Sequence, residues 1–164
     1  MLTREYLRWR LSYNKKTGIF RWKRVFGHKV KVGDRTGSIT DNGRRVNIWI
    51  DDKMYRAHRL AWFYVHGEWP LMGIDHINGD GCDNRIANLR LATQSQNLGN
   101  SKKPITNRSG KKGVSWHAVG KKWQAHIKVD GINFYLGLFD TVKLAHEAYA
   151  EAATKYRGEF ARAE

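Results

Sequence analysis

The chain has 164 residues, 41% of them hydrophobic, and its 30 Lys and Arg against 15 Asp and Glu leave a net charge of +15. That is enough apolar surface for one ordinary domain or two small ones, which excludes wholesale disorder, and the single cysteine, Cys82, excludes a disulfide framework or a multi-cysteine zinc site. No apolar run approaches membrane-spanning length and the opening "MLTREYLRWRLSY" is too charged for a signal peptide, so a cytoplasmic location and no membrane partner are expected.

Residues 1–55 read as a β-rich extension. A short helical pattern (Leu2, Tyr6, Leu7) leads into strand-like pieces: "GIFRWK", "RRVNIWI" after Asn42-Gly43, and "KMYRA" after Asp51-Asp52. Asn-Gly is a strong hairpin signal because its turn needs positive φ. "HRLAWFYVHG" then reads as an apolar helix ended by Gly67, and Pro70 closes the segment. His58, at the start of that helix, reads as a packed or capping histidine; His28, His66 and His146 have no suggestive partners.

The stretch "IDHINGDGCDNRIANLRLATQSQN", residues 74–97, carries the chemistry. A polar turn explains Gly79 to Asn84, since Asn, Gly and Asp are what turns select. It does not explain Asp75 and His76 directly behind apolar Ile74, nor Asn88 and Asn97 in and beyond "IANLRLA". A calcium loop is excluded, because Leu89 falls where the closing Glu should be. Thr93 and Gln96 form a capping box, which sets Asn97 in the first turn of a helix. If Ile74–Ile77 and Ala87–Ala92 pair as a ribbon, that helix folds back across it, and Asp75 and Asn97 converge. A carboxylate with a carboxamide oxygen is a hard pair suited to Mg²⁺. His76, facing the other way on its strand, stays off the metal and can accept a proton near neutral pH.

From Asn84 to Val129 no acidic residue occurs, while ten Lys and Arg do, interleaved with Trp116 and Trp123. Such an unmixed block reads as a nucleic-acid surface, because each cation set on a phosphate releases a condensed counterion. Within it, residues 101–112 form a basic linker whose Lys102, Lys103, Arg108, Lys111 and Lys112 can follow a phosphate backbone, joined by Lys121 and Lys122.

Residues 113–164 read as a compact module: strands "GVSWH", "KWQAHIKV" and "INFYLGLF", with a hairpin at Asp130-Gly131 and a helix from Asp140-Thr141 to Gly158. Alternation points Trp123, Ala125, Ile127, Val129, Ile132, Phe134, Leu136 and Leu138 at the helix. The opposite face carries Ser115, His117, Gln124, His126, Lys128, Asn133 and Tyr135, groups able to hydrogen-bond base edges or phosphates.

Residues 56–100 resemble the His-Asn-His (HNH) endonucleases, in the phage and intron homing branch where Asn replaces the last His. The resemblance implies a ββα-metal fold, with His76 as general base, Asp75 and Asn97 holding one Mg²⁺ (or Mn²⁺) per active site, Asn88 fixing the loop and the base, and Asn84 supporting the loop. Cys82 departs from the polar residue such loops usually carry. The last third, with "GV", "LGLFDT", "AHEAYAEAA" and "RGEFA", resembles the DNA-binding domain of plant APETALA2/ethylene-response factors, also present in homing endonucleases. It lacks the several arginines of the plant proteins, so their target sequence does not carry over; the family's reading face falls on Ser115, His117, His126, Lys128, Asn133 and Tyr135.

The expectation is an α+β chain in four parts: an extension (1–55), a ββα-metal nuclease (56–100), a linker (101–112), and a three-stranded antiparallel sheet on one helix (113–164). Its expected work is metal-dependent hydrolysis of double-stranded DNA as a monomer, in a bacterial host, encoded by a phage. The alternatives are a non-catalytic DNA-binding regulator with a decayed nuclease centre, and an RNA-binding protein favoured by charge but by no motif.

Overall fold

A computed structural model describes residues 1–25, 29–40 and 43–162; Asn42 of the expected Asn-Gly turn and His28 lie outside them. The chain divides into two compact units, Met1–Leu91 and Ala92–Glu164. Mixed helices and small antiparallel sheets make it α+β, as expected. The boundary falls inside the stretch expected as the nuclease, so the capping-box helix and residues 101–112 belong to the second unit. Among the described residues no helix is long and apolar enough to cross a membrane.

In the first unit, Thr3 caps α1 (Arg4–Arg10) by accepting the Tyr6 N–H at 3.2 Å. β1 (Leu11–Asn14) pairs antiparallel with β2 (Ile19–Trp22), and β3 (Ser38–Thr40), β4 (Arg45–Ile50) and β5 (Lys53–Arg56) form a second sheet in that order. Next comes α2 (Ala57–His66), ended by Gly67 at φ 86°, the left-handed cap the sequence predicts. β6 (Gly73–His76) and β7 (Leu89–Ala92) make the expected ribbon, extended by the Ile77 N–H donating to the Asn88 carbonyl at 2.9 Å. One core unites these elements: Ala57, Leu60, Ala61 and Phe63 of α2 meet Val46, Ile48 and Ile50, the N-terminal Leu7, Leu11, Tyr13 and Phe20, and Ile74 and Leu89 of the ribbon. β1 and β3 are additions to the sequence reading. β1 follows α1 without a break, and three residues are too few for an alternation to show in β3.

The second unit begins with α3 (Gln94–Asn100), which carries the predicted capping box. Strands β8 (Val114–His117), β9 (Lys122–Val129) and β10 (Ile132–Phe139) pair antiparallel in the order β10-β9-β8, and α4 (Val142–Arg157), capped by Thr141, covers one face. Ile127, Val114 and Ala125 are buried against Ala145, Tyr149, Ala152 and Ala153. Gly113 is required here: its φ is +73°, and a Cβ would collide with the Tyr149 ring.

One expected facing is corrected. A β-bulge between Tyr135 and Gly137 adds a residue to β10. Leu136 still packs on the core, but beyond it the alternation is shifted, so Leu138 sits opposite Gln124 and is 37% exposed while Phe139 joins the core. Ile132, at the hairpin, is also exposed.

Candidate functional site

The ribbon puts Asp75 and His76 at the end of β6, immediately after core residue Ile74. Both are buried, 6% and 4% exposed. Such polar side chains persist in an interior only with partners. Arg90, on the paired strand β7, donates to Asp75 Oδ2 from Nε and Nη2, each at 2.9 Å. The His76 ring has Asn84 Oδ1 at 3.4 Å from Nε2 and Arg45 Nη1 at 3.4 Å from Nδ1. The guanidinium can only donate, so these partners set the tautomer: Nδ1 accepts and Nε2–H donates to the carboxamide. Burial pushes the His76 imidazole below its ordinary value. Asn84 opposes that push, Arg45 adds to it, and Asp75 and Asp80 oppose it. The ring is therefore held as a neutral imidazole.

His58, near the start of α2, stacks its ring edgewise on His76, with centroids 5.2 Å apart at 80°. It is 7% exposed, and burial first, then the neighbouring His76 ring and the charges of Arg45, Arg56 and Arg59, push it down to about 3. It is a packing group that fixes the ring, in line with the sequence reading.

The asparagines stitch the loop between the two strands. Asn88 accepts the Asn78 N–H at 3.0 Å and donates to Asn78 Oδ1 at 3.0 Å and to the Asp83 carbonyl at 2.8 Å. Asn78 also accepts the Asp80 N–H and donates to Asp83. Asn84 Nδ2 donates to the Cys82 carbonyl at 3.1 Å, and the Asn84 carbonyl accepts the buried Tyr13 hydroxyl at 2.7 Å. The resemblance assigns loop and base to Asn88 and support to Asn84. Here the carboxamide against the ring is that of Asn84, and Asn88 braces the loop. Cys82 packs on the core and points its Sγ at the Gly43 carbonyl, an apolar role where a polar residue is usual.

Asn97 lies in the first turn of α3, in the second unit, and Asp75 in the first. Among the described residues no group of three or more His, Cys, Asp or Glu side chains is placed to hold a metal. The donor chemistry of Asp75 nevertheless suits a hard cation: it is a buried carboxylate whose present countercharge is a guanidinium.

On the sheet of the second unit, Ser115 pairs across from Gln124, His126 from Tyr135, and Lys128 from Asn133. These residues share the face away from α4, where Ser115, Gln124, His126, Asn133 and Tyr135 line a shallow concavity of about 300 Å³. His117 lies on the same face with its Nδ1 accepting the Gly120 N–H at 3.0 Å. Lys102, Lys103, Arg108, Lys111, Lys121, Lys122 and Lys128 are exposed. Lys112 differs. It is 8% exposed, its Nζ donates to the Gly99 carbonyl at 2.6 Å and to Ser101, and burial pushes it down to about 8. It closes the C-terminal end of α3, so the phosphate contact expected of it is replaced by a structural one.

Arg45, Arg90 and Tyr13 are site residues the sequence reading missed. Arg90 stands on the strand predicted to pair with that of Asp75, so a cross-strand charge match was available as a signal. Arg45 and Tyr13 arrive from other sheets and left none.

Residues 55–98 match a family model described as HNH endonuclease, which makes this segment an HNH endonuclease domain. Protein 3.8 of Escherichia phage T7 is 32% identical over 111 residues, which span 67% of this chain and 91% of that protein. The chain belongs to the protein 3.8 family, with an HNH endonuclease domain within it. It is also similar to the AP2-like ethylene-responsive transcription factor TOE2 of Arabidopsis thaliana, 35% identical over 81 residues, 49% of this chain but 17% of that protein. APETALA2-like protein 2 of Oryza sativa is 40% identical over 55 residues, 34% of this chain and 13% of that protein. No solved structure matches the chain.

Proposed function

We propose that the chain is a DNA endonuclease of the homing type, hydrolysing one phosphodiester bond with His76 as general base and one divalent metal, and targeted to duplex DNA by the sheet of its second unit. The observation that carries this reading is the held imidazole: His76, in the segment matching the HNH model, has Nε2 against Asn84 and Nδ1 against Arg45, beside the Asp75 carboxylate.

Hydrolysis needs an aligned water and a base for its proton. Nδ1 takes that proton, and the Asn84 carboxamide, held by Cys82 and by the loop fixed on Asn88, steadies the imidazolium that forms through the Nε2–H bond. The resulting hydroxide attacks phosphorus, the ester oxygen opposite leaves with its electron pair, and a water protonates it. A bound Mg²⁺ or Mn²⁺ supplies Lewis-acid stabilisation of the charge that gathers on the phosphate and leaving oxygen. Asp75 would hold it; Asn97 is the second ligand that the sequence proposes, to be tested by its own substitution.

Ser115, His117, Gln124, His126, Lys128, Asn133 and Tyr135 would face base edges or phosphates, because a sheet can enter the major groove. Lys102, Lys103, Arg108, Lys111, Lys121 and Lys122 would take phosphates. The likeness to plant transcription factors and the exposure of these residues support this assignment. On this reading the protein acts as a monomer on double-stranded DNA in a bacterial cytoplasm.

The test is nicking of supercoiled plasmid with Mg²⁺ or with EDTA, by the intact chain and by His76→Ala. Nicking should need the metal, and His76→Ala should lose about a thousandfold in rate while retaining its gel-shift affinity. Metal-dependent nicking by His76→Ala at the intact rate removes His76 from its role. Tight duplex binding without nicking by the intact chain supports the regulator instead.

A further inference from the structure

His76 is 4% exposed, yet a base must present a lone pair to the water it deprotonates. Its accepting nitrogen, Nδ1, has Arg45 Nη1 at 3.4 Å. That nitrogen has one lone pair, which can accept from the guanidinium or from water, but not from both at once. A guanidinium displaced from it keeps its charge and its fork of donors. The phosphate that the same water attacks is then within its reach, since a reacting water stands ~3 Å both from its base and from the phosphorus.

The backbone around Arg45 suits such a swing. Arg45 opens β4, and the adjoining Arg44 carbonyl is so close to Gly81 of the motif loop that a Cβ there would collide with it. Cys82 of the same loop bonds to Gly43. The main chain is thus fixed against the loop, while the Arg45 side chain is only half-buried.

We propose that Arg45 is a substrate-binding residue of the nuclease centre: when DNA enters, its guanidinium leaves His76 Nδ1 for a non-bridging oxygen of the scissile phosphate, uncovering the base. This rests on the nuclease reading above, and it gives the N-terminal extension a direct part in the site. Arg45 binds the same phosphate that the water attacks, and its departure couples substrate entry to exposure of the base.

Two readouts test it on the full chain, with Arg45→Ala, Arg45→Gln and Arg45→Lys. Gln removes the charge but leaves a polar side chain that fills more of the space than Ala, so it remains informative if Ala fails to fold. In EDTA, gel shifts of a synthetic DNA duplex across a salt series should lose about one unit of log–log slope in Ala and Gln and keep it in Lys. With Mg²⁺, single-turnover plasmid nicking should slow about 100-fold in Ala and Gln and about tenfold in Lys, which lacks the planar fork. An unchanged salt slope in Arg45→Gln overturns the proposal whatever the cleavage rates do. So does nicking by Arg45→Gln within about threefold of an intact chain that nicks. If the intact chain does not nick, the nuclease reading falls, and the salt slope still decides whether Arg45 binds a phosphate.

Discussion

Arg90 grips one oxygen of Asp75 with two nitrogens, both at 2.9 Å, and the two side chains are 14% and 8% exposed. Breaking a buried pair from one side costs about 3–5 kcal/mol, whereas removing both charges costs much less. Arg90→Ala should therefore destabilise the first unit by about 3 kcal/mol or more in urea denaturation, and Arg90→Ala with Asp75→Asn should recover at least half of that. A single variant within about 0.5 kcal/mol of the intact chain would show that the pair contributes nothing to folding.

Tyr13 reaches from β1 to the Asn84 carbonyl, and burial pushes its phenol up to about 12, so it remains a donor at any working pH. Tyr13→Phe keeps the ring and deletes one buried hydrogen bond, for an expected loss of about 1–2 kcal/mol. Because Asn84 holds His76, plasmid nicking should slow more than binding weakens. Equal losses in rate and gel-shift affinity would mean that Tyr13 does not act through the ring.

His58 gives unit-wide acid sensitivity. Its folded value of about 3 lies below the ordinary 6.5, so between those values the unfolded chain binds the proton and the folded chain does not. The stability it contributes is complete above pH 6.5 and falls by about 1.4 kcal/mol for each pH unit below it, down to about 3. His58→Phe should flatten that decline in denaturation series taken from pH 7 to 4. An unaltered slope would remove His58 as its source.

Lys112 and Lys121 carry the same charge in the same basic block, with opposite surroundings. Lys121→Ala should reduce the salt slope of DNA binding by about one and leave melting unchanged. Lys112→Ala should leave the slope unchanged and lower stability by about 1–3 kcal/mol, since its buried Nζ serves the Gly99 and Ser101 carbonyls. The reverse pattern would return Lys112 to the phosphate-contacting group.

The local grammar of the chain was legible. Gly67 ends its helix, Thr93 and Gln96 form their box, and Ile74 and Leu89 fix a ribbon, because each depends on neighbours in sequence. So was the side of the sheet on which Ser115, Gln124, His126, Lys128, Asn133 and Tyr135 lie together. Leu138 was misfaced because a bulge leaves no mark in a pattern of alternating apolar residues. Arg45 and Tyr13 were invisible for another reason: they reach the motif from 31 and 71 residues away, and only tertiary packing brings them there.

The segment that matches the HNH model begins at residue 55, and seven residues of the core around it, Leu7, Leu11, Tyr13, Phe20, Val46, Ile48 and Ile50, come before that point. Residues 55–98 are therefore no portable cassette. Grafted onto another scaffold they would bring the chemistry's vocabulary without the walls that shape it, so recombination that preserves activity must carry the upstream hairpins along.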